Sequence, residues 1–83
     1  MSPPRLSDLP DGSHGTVTGV SASSPQADAQ MLRRLAELGF LPGEPVLVLR
    51  RGPGGREPLA VQIGETLFAL RQIEAQCVKV SVP

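Results

Sequence analysis

Few side chains in this 83-residue chain could do chemistry. His14 is its one histidine and Cys77 its one cysteine, and it contains neither Tyr nor Trp. An imidazole and a thiolate are suitable zinc ligands, although a closed zinc site needs four ligands. Strand alternation, with Val78, Val80 and Val82 facing inward, predicts that His14 and Cys77 both lie on the outer surface.

If the first and last strands are neighbours, His14 and Cys77 lie near each other. A site for Zn²⁺ or Fe²⁺ would then need ligands from a second copy, so the metal would link two copies into a dimer. The alternative is an ordinary surface histidine and a half-buried cysteine. No cofactor is required in either case.

The positive charge is concentrated in the middle of the chain. Eight basic and eight acidic side chains give a net charge of zero. Residues 33–56 carry five Arg and two Glu (+3), and the remainder carries three basic and six acidic residues (−3). This distribution favours docking to an oppositely charged protein surface, and scattered solvated charges are the alternative. Nucleic-acid binding is not expected, because net positive charge and stacking aromatic residues are both lacking.

The candidate docking surface combines basic and apolar residues. Two arginines lie near the end of a predicted helix, where the helix dipole alone would also favour them. A Leu-Pro pair follows that helix, and two more arginines precede the glycine-rich residues 52–55. An apolar patch bordered by Arg is an ordinary protein-binding surface. The partner-binding candidates are Arg33, Arg34, Leu41, Pro42, Arg50 and Arg51.

Catalysis and membrane insertion are not expected. The chain has no paired carboxylates close enough for acid-base chemistry, and its glycine-rich segment lacks the Lys-Ser/Thr ending of a phosphate-binding loop. No apolar stretch approaches the ~20 residues of a membrane span. The first residues also lack the pattern of a secretory signal, so we expect a cytoplasmic protein that is not an enzyme.

One helix is predicted between the first two strands. Ser24-Pro25 is a typical helix start, and the apolar spacing continues to Leu38. Gly39 occupies the position of the left-handed residue that ends a helix, with Phe40 folding back on Leu35. Pro42-Gly43 then predicts a type II turn.

Five short strands are predicted from β-branched and alternating residues. They cover residues 14–20, 46–49, 59–63, 66–70 and 78–82. A chain with so little apolar mass buries one sheet face efficiently by closing the sheet on itself. We therefore predict a mainly β, SH3-like five-stranded barrel with one helix inserted between strands 1 and 2, forming a single domain over residues 1–83. An open α+β sheet is the alternative.

The segment Arg33-Arg34-Leu35-Ala36-Glu37-Leu38-Gly39-Phe40-Leu41-Pro42-Gly43 resembles the signature of the ferrous-iron-transport A (FeoA) family. Further similarities follow in order at residues 46–51, at Pro53, Gly54, Pro58 and Gly64, and at residues 69–71. The resemblance implies an SH3-like, non-enzymatic cytosolic protein, either a monomer or a weak or metal-linked homodimer. Its implied partner is the cytosolic GTP-hydrolysing part of a FeoB-like ferrous iron permease. The alternatives are a protein that itself binds Zn²⁺ or Fe²⁺, and a detached regulatory domain of the iron-dependent-repressor type.

Overall fold

The computed structural model describes residues 4–53, 55 and 57–83. Gly54 and Arg56 of the glycine-rich segment therefore lie outside the described residues. Within these residues, one 3₁₀ turn and two α-helices accompany five strands. In chain order the elements are the 3₁₀ turn Leu6–Asp8, β1 His14–Val20, α1 Ala29–Leu38, β2 Pro45–Arg51, β3 Leu59–Ile63, β4 Thr66–Leu70, α2 Gln72–Ala75 and β5 Val78–Ser81. The strands form one antiparallel sheet in the order β4-β3-β2-β1-β5. The predicted mainly β fold with five strands is confirmed.

The core lies on the inner face of this sheet. Inward residues of the strands, such as Val17, Val48 and Val61, are almost completely buried. Leu6 closes one end of the core from the 3₁₀ turn. Gly15 allows a close approach of β1 to β5, because a Cβ there would lie 3.2 Å from a backbone oxygen of β5, closer than most side chains approach.

Helix α1 begins later than the sequence predicted. Asp28, not Ser24, is the N-cap, and its Oδ1 accepts a hydrogen bond of 2.8 Å from the Met31 backbone N–H. Ser24 instead begins a separate turn, in which its carbonyl accepts from the N–H of Ala27. Ala27, which closes this turn, is buried in the core although it lies outside the helix. None of the helices in the described residues has the length and apolar character needed to cross a bilayer.

The end of α1 matches the prediction. Gly39 has a φ of 118°, in the left-handed region that glycine favours. The N–H of Phe40 donates to the Leu35 carbonyl at 3.1 Å, which is the long hydrogen bond of a Schellman ending. Gly43 has a φ of 91°, and the N–H of Glu44 donates to the carbonyl three residues earlier, as a type II turn requires.

The last strand is shorter than predicted. One residue before it and one residue after it have the opposite burial to that expected from the sequence. Val82 was expected to be buried but is 49% exposed, because the strand ends at Ser81. Cys77 was expected on the outer surface but is completely buried. It follows α2 and precedes β5, so the alternation of strand side chains does not yet apply to it.

Candidate docking surface

A tightly held turn presents Leu41 to solvent. Leu41 is 47% exposed, and Pro42 beside it is also exposed. The N–H of Glu44 donates to the Leu41 carbonyl at 3.1 Å, and the N–H of Gly43 donates to the Val17 carbonyl at 2.7 Å. Val17 in turn donates its N–H to the Glu44 carbonyl at 2.8 Å. The turn is therefore fastened to β1, and it shows an apolar side chain without needing to be ordered by a partner.

The two arginines of α1 are both exposed. Arg33 makes no ion pair among the described residues, whereas Arg34 Nη1 lies 3.7 Å from Glu74 Oε2. The side chain of Arg34 is 69% exposed and that of Glu74 is 10% exposed. The pair is long and Arg34 is largely in solvent, so the guanidinium is accessible to a partner, although Glu74 is almost buried.

Two glutamates accept hydrogen bonds from the backbone at the start of α2. Glu74 Oε1 accepts a 2.8 Å hydrogen bond from the Arg71 N–H, and Glu57 Oε1 accepts one of 2.7 Å from the Gln72 N–H. Glu74 therefore caps the start of its own helix, and Glu57 holds that start against the hairpin between β2 and β3. Sequence reasoning missed this arrangement. The three-residue spacing of Arg71 and Glu74 is a known capping pattern that could have indicated half of it, but no local signal points to Glu57.

Arg50 and Arg51 have different environments although they are adjacent. Arg50 is exposed at the base of the hairpin, beside Gly52 and Pro53. The side chain of Arg51 is only 19% exposed, and its Nη1 donates to Asp11 Oδ1 at 2.7 Å. The structure therefore keeps Arg50 as a surface candidate, whereas the guanidinium of Arg51 is used within the fold.

The two predicted metal ligands are not brought together. β1 and β5 are neighbours as expected, but they are antiparallel, and Val20 lies opposite Val78. Cys77 therefore lies beyond the Val20 end of β1, where its carbonyl accepts from the Ser21 N–H at 2.9 Å. His14 is at the other end of β1, six residues from Val20, which corresponds to roughly 20 Å along a strand. The expected proximity of His14 and Cys77 is wrong.

Burial also separates Cys77 from any shared site. Its Sγ donates to the Ile73 carbonyl at 3.2 Å, and the residue has no exposed surface. A second copy cannot reach this thiol without opening the fold. Within the described residues, no three His, Cys, Asp or Glu side chains are grouped as a metal site would require. The residues described therefore do not fit a closed zinc or iron centre within one copy.

Comparison with known proteins gives one family. Residues 5–82 match the model of the FeoA domain. The FeoA of Stenotrophomonas maltophilia is 46% identical, with a TM-score of 0.81, and the match covers 94% of this chain and 89% of that one. That protein was solved in complex with zinc and is described as an SH3 domain protein possibly acting as a bacterial ferrous iron transport activating factor. The FeoA of Chlorobium tepidum is 33% identical, with a TM-score of 0.81 over 95% of this chain and 70% of that one. These matches confirm the predicted SH3-like fold.

A second group of similar structures consists of regulators. A manganese-dependent transcriptional repressor is 30% identical, with a TM-score of 0.78, and the match covers 100% of this chain but 44% of the repressor. No protein with a curated description matches the chain.

Proposed function

Since the chain belongs to the FeoA family, which is linked to ferrous iron transport, we propose that it is an accessory protein of ferrous iron uptake that binds the cytosolic GTP-hydrolysing part of a FeoB-like permease. It acts in the cytoplasm by protein–protein contact and not as an enzyme. One observation carries the proposal: Leu41 is 47% exposed on a turn that backbone hydrogen bonds fasten to β1.

A fixed, exposed leucine suits a docking role. Binding costs free energy when loops and side chains must be ordered, and a turn that is already held reduces this cost. Pro42 restricts the backbone next to Leu41 further. Arg33 and Arg34 lie on the helix that leads into the turn and are exposed, so they can supply the polar border that surrounds an apolar contact.

Titration of the purified permease domain, with and without guanine nucleotide, tests this proposal. Leu41→Asp combined with Arg34→Glu is expected to weaken binding by at least ~30-fold, the scale of one lost anchor residue. Leu41→Asp alone should leave the melting temperature unchanged, because Leu41 is exposed. The double variant should melt somewhat lower, because Arg34→Glu places a second negative charge beside the buried Glu74, so binding is compared at a temperature at which both proteins are folded. Leu67→Asp is the matched control, since Leu67 is an exposed leucine on β4.

The control separates a specific surface from a general loss of apolar area. If the double variant binds like the wild type, the interface lies elsewhere, and Arg50→Glu at the hairpin base is the next variant to measure. If Leu67→Asp weakens binding as strongly as the double variant, the assignment to the α1 end and its turn is wrong.

The likeness to a manganese-dependent repressor supports a second candidate, a metal-responsive regulatory module. It is the weaker one, because the chain spans less than half of that protein. Equilibrium dialysis of the purified chain against Mn²⁺, Fe²⁺ and Zn²⁺ separates the two. Uptake of one Mn²⁺ per chain in preference to Zn²⁺ would favour the regulatory module, and a lack of Mn²⁺ uptake would favour the docking role.

A further inference from the structure

The two edge strands of the sheet, β5 and β4, differ in whether another segment of the chain covers them. At the β5 end, the Pro4 carbonyl accepts a hydrogen bond of 3.1 Å from the Val80 N–H, and Arg5 forms a bridge with Lys79. At the β4 end, no strand among the described residues pairs with the outer edge. An edge strand of this kind presents free backbone donors and acceptors to another chain.

The pairing with β3 shows which backbone groups of β4 are free. A two-residue turn joins the strands, with Ile63 opposite Thr66 and Val61 opposite Phe68. In a two-residue hairpin the closing pair is hydrogen-bonded, and hydrogen-bonded pairs alternate with non-bonded ones. The N–H and C=O groups of Leu67 and Ala69 therefore point away from β3.

The side chains of β4 do not protect this edge. Leu67 is 65% exposed and Ala69 is exposed beside it on the outer surface. The five residues of β4 include no charged residue and no proline, and their register with β3 is uninterrupted. Natural edge strands usually carry a lysine, a proline or a bulge that prevents pairing with another chain.

We propose that β4 pairs with β4 of a second copy, antiparallel, about a two-fold axis at Phe68. This register places Leu67 opposite Ala69 of the second copy, and Ala69 opposite Leu67 of the second copy. Both residues have free backbone groups, and each such pair exchanges two hydrogen bonds. The exposed Leu67 side chain is then covered by its cross-strand neighbour.

The charges that flank β4 select this occupant and this register. Glu65 precedes the strand and Arg71 follows it; both are exposed, and neither takes part in an ion pair of the described residues. With the axis at Phe68, Glu65 lies opposite Arg71 of the second copy at both ends of the contact. An axis at Leu67 or at Ala69 does not bring these charges together, so the strand and its flanks are complementary to themselves in one register.

The dimer is expected to be weak. One short strand pair buries much less than the roughly 1,200 Å² of stable interfaces, so we expect a dissociation constant on the order of 100 μM. Sedimentation velocity from micromolar to millimolar protein, in buffer containing a chelator, therefore tests the proposal without any metal-linked contribution. The wild type should shift from monomer to dimer across this range.

Leu67→Lys should weaken the dimer at least ~10-fold, because a lysine is a natural block of strand edges. Leu41→Lys is the matched control and should dimerise like the wild type, since Leu41 lies on the turn after α1 and not on β4. Glu65→Arg should also weaken the dimer, and the charge exchange Glu65→Arg with Arg71→Glu should restore it.

Amide hydrogen exchange gives a readout that does not depend on any variant. Raising the protein concentration should slow exchange at Leu67 and Ala69, the residues with outward N–H groups, and should leave Phe68 unchanged. A wild-type monomer at millimolar concentration would overturn the proposal. A dimer that Leu67→Lys does not weaken, or one in which the charge exchange fails to restore association, would also overturn it.

Discussion

Replacing Arg51 by alanine is expected to loosen the 3₁₀ turn that covers the core. The guanidinium makes three hydrogen bonds to this region: Nη1 to Asp11 Oδ1 at 2.7 Å, and Nη2 to the carbonyls of Ser7 at 2.9 Å and Leu9 at 2.8 Å. Leu9 is 5% exposed and Leu6, on the same turn, has no exposed surface. One side chain of β2 therefore fastens a separate segment of the chain to the sheet.

The cost can be estimated from these bonds. A hydrogen bond from a charged donor contributes about 1.5–3 kcal/mol, and partial solvent access reduces this to about 1 kcal/mol for each carbonyl. The pair with Asp11, whose side chain is 55% exposed, adds only about 0.5 kcal/mol. The sum is about 2–3 kcal/mol, which in a domain of this size lowers the melting temperature by roughly 10–20 °C.

Thermal and urea unfolding of Arg51→Ala check this value. Arg50→Ala is the matched control, because Arg50 is the adjacent, exposed arginine and its side chain makes no hydrogen bond among the described residues. Its effect should stay within about 0.5 kcal/mol. Arg51→Lys should fall between the two, since an ammonium cannot reach all three acceptors. Equal stability of the two alanine variants would refute the role assigned to Arg51.

Two further predictions concern the helix end and the metal. Gly39→Val should cost about 1–2 kcal/mol from left-handed strain. In urea unfolding, Gly39→Val should lower the free energy of unfolding more than Gly43→Val. A Cβ at position 39 would lie 3.3 Å from Ile63 Cγ2, whereas one at position 43 would meet nothing within 4 Å. Equal losses of free energy in the two variants would contradict the packing of the helix end. In zinc titration calorimetry, Cys77→Ser should behave like the wild type, since the thiol is buried far from His14. A similar loss of zinc binding in His14→Ala and Cys77→Ser would contradict the strand register.

The sequence alone determined the features that depend on neighbouring residues. The left-handed end of α1 at Gly39 and the type II turn at Pro42-Gly43 were both predicted correctly. Each depends on the φ preference of glycine or proline within a few residues, which does not change with the rest of the fold. The exposure of Leu41 was predicted for the same reason, since the turn that carries it is local.

The helix start was not determined by local preference. Ser24 and Asp28 are both good N-caps, and their local preferences are nearly equal. Asp28 is the one that caps the helix, and the buried Ala27 between them lies in the turn before it.

Only the tertiary structure distinguished the roles of the candidate site residues. Arg50 and Arg51 are adjacent and chemically identical. The register of β2 against β3 shifts between Val48 and Arg50. After this irregularity, the side chain of Arg51 donates hydrogen bonds to the N-terminal turn. In the same way, His14 and Cys77 lie on neighbouring segments, and only the antiparallel register shows that they are at opposite ends. Composition and periodicity predict that strands exist and which face is apolar, but the register is set by long-range pairing, and the register decides which side chains meet.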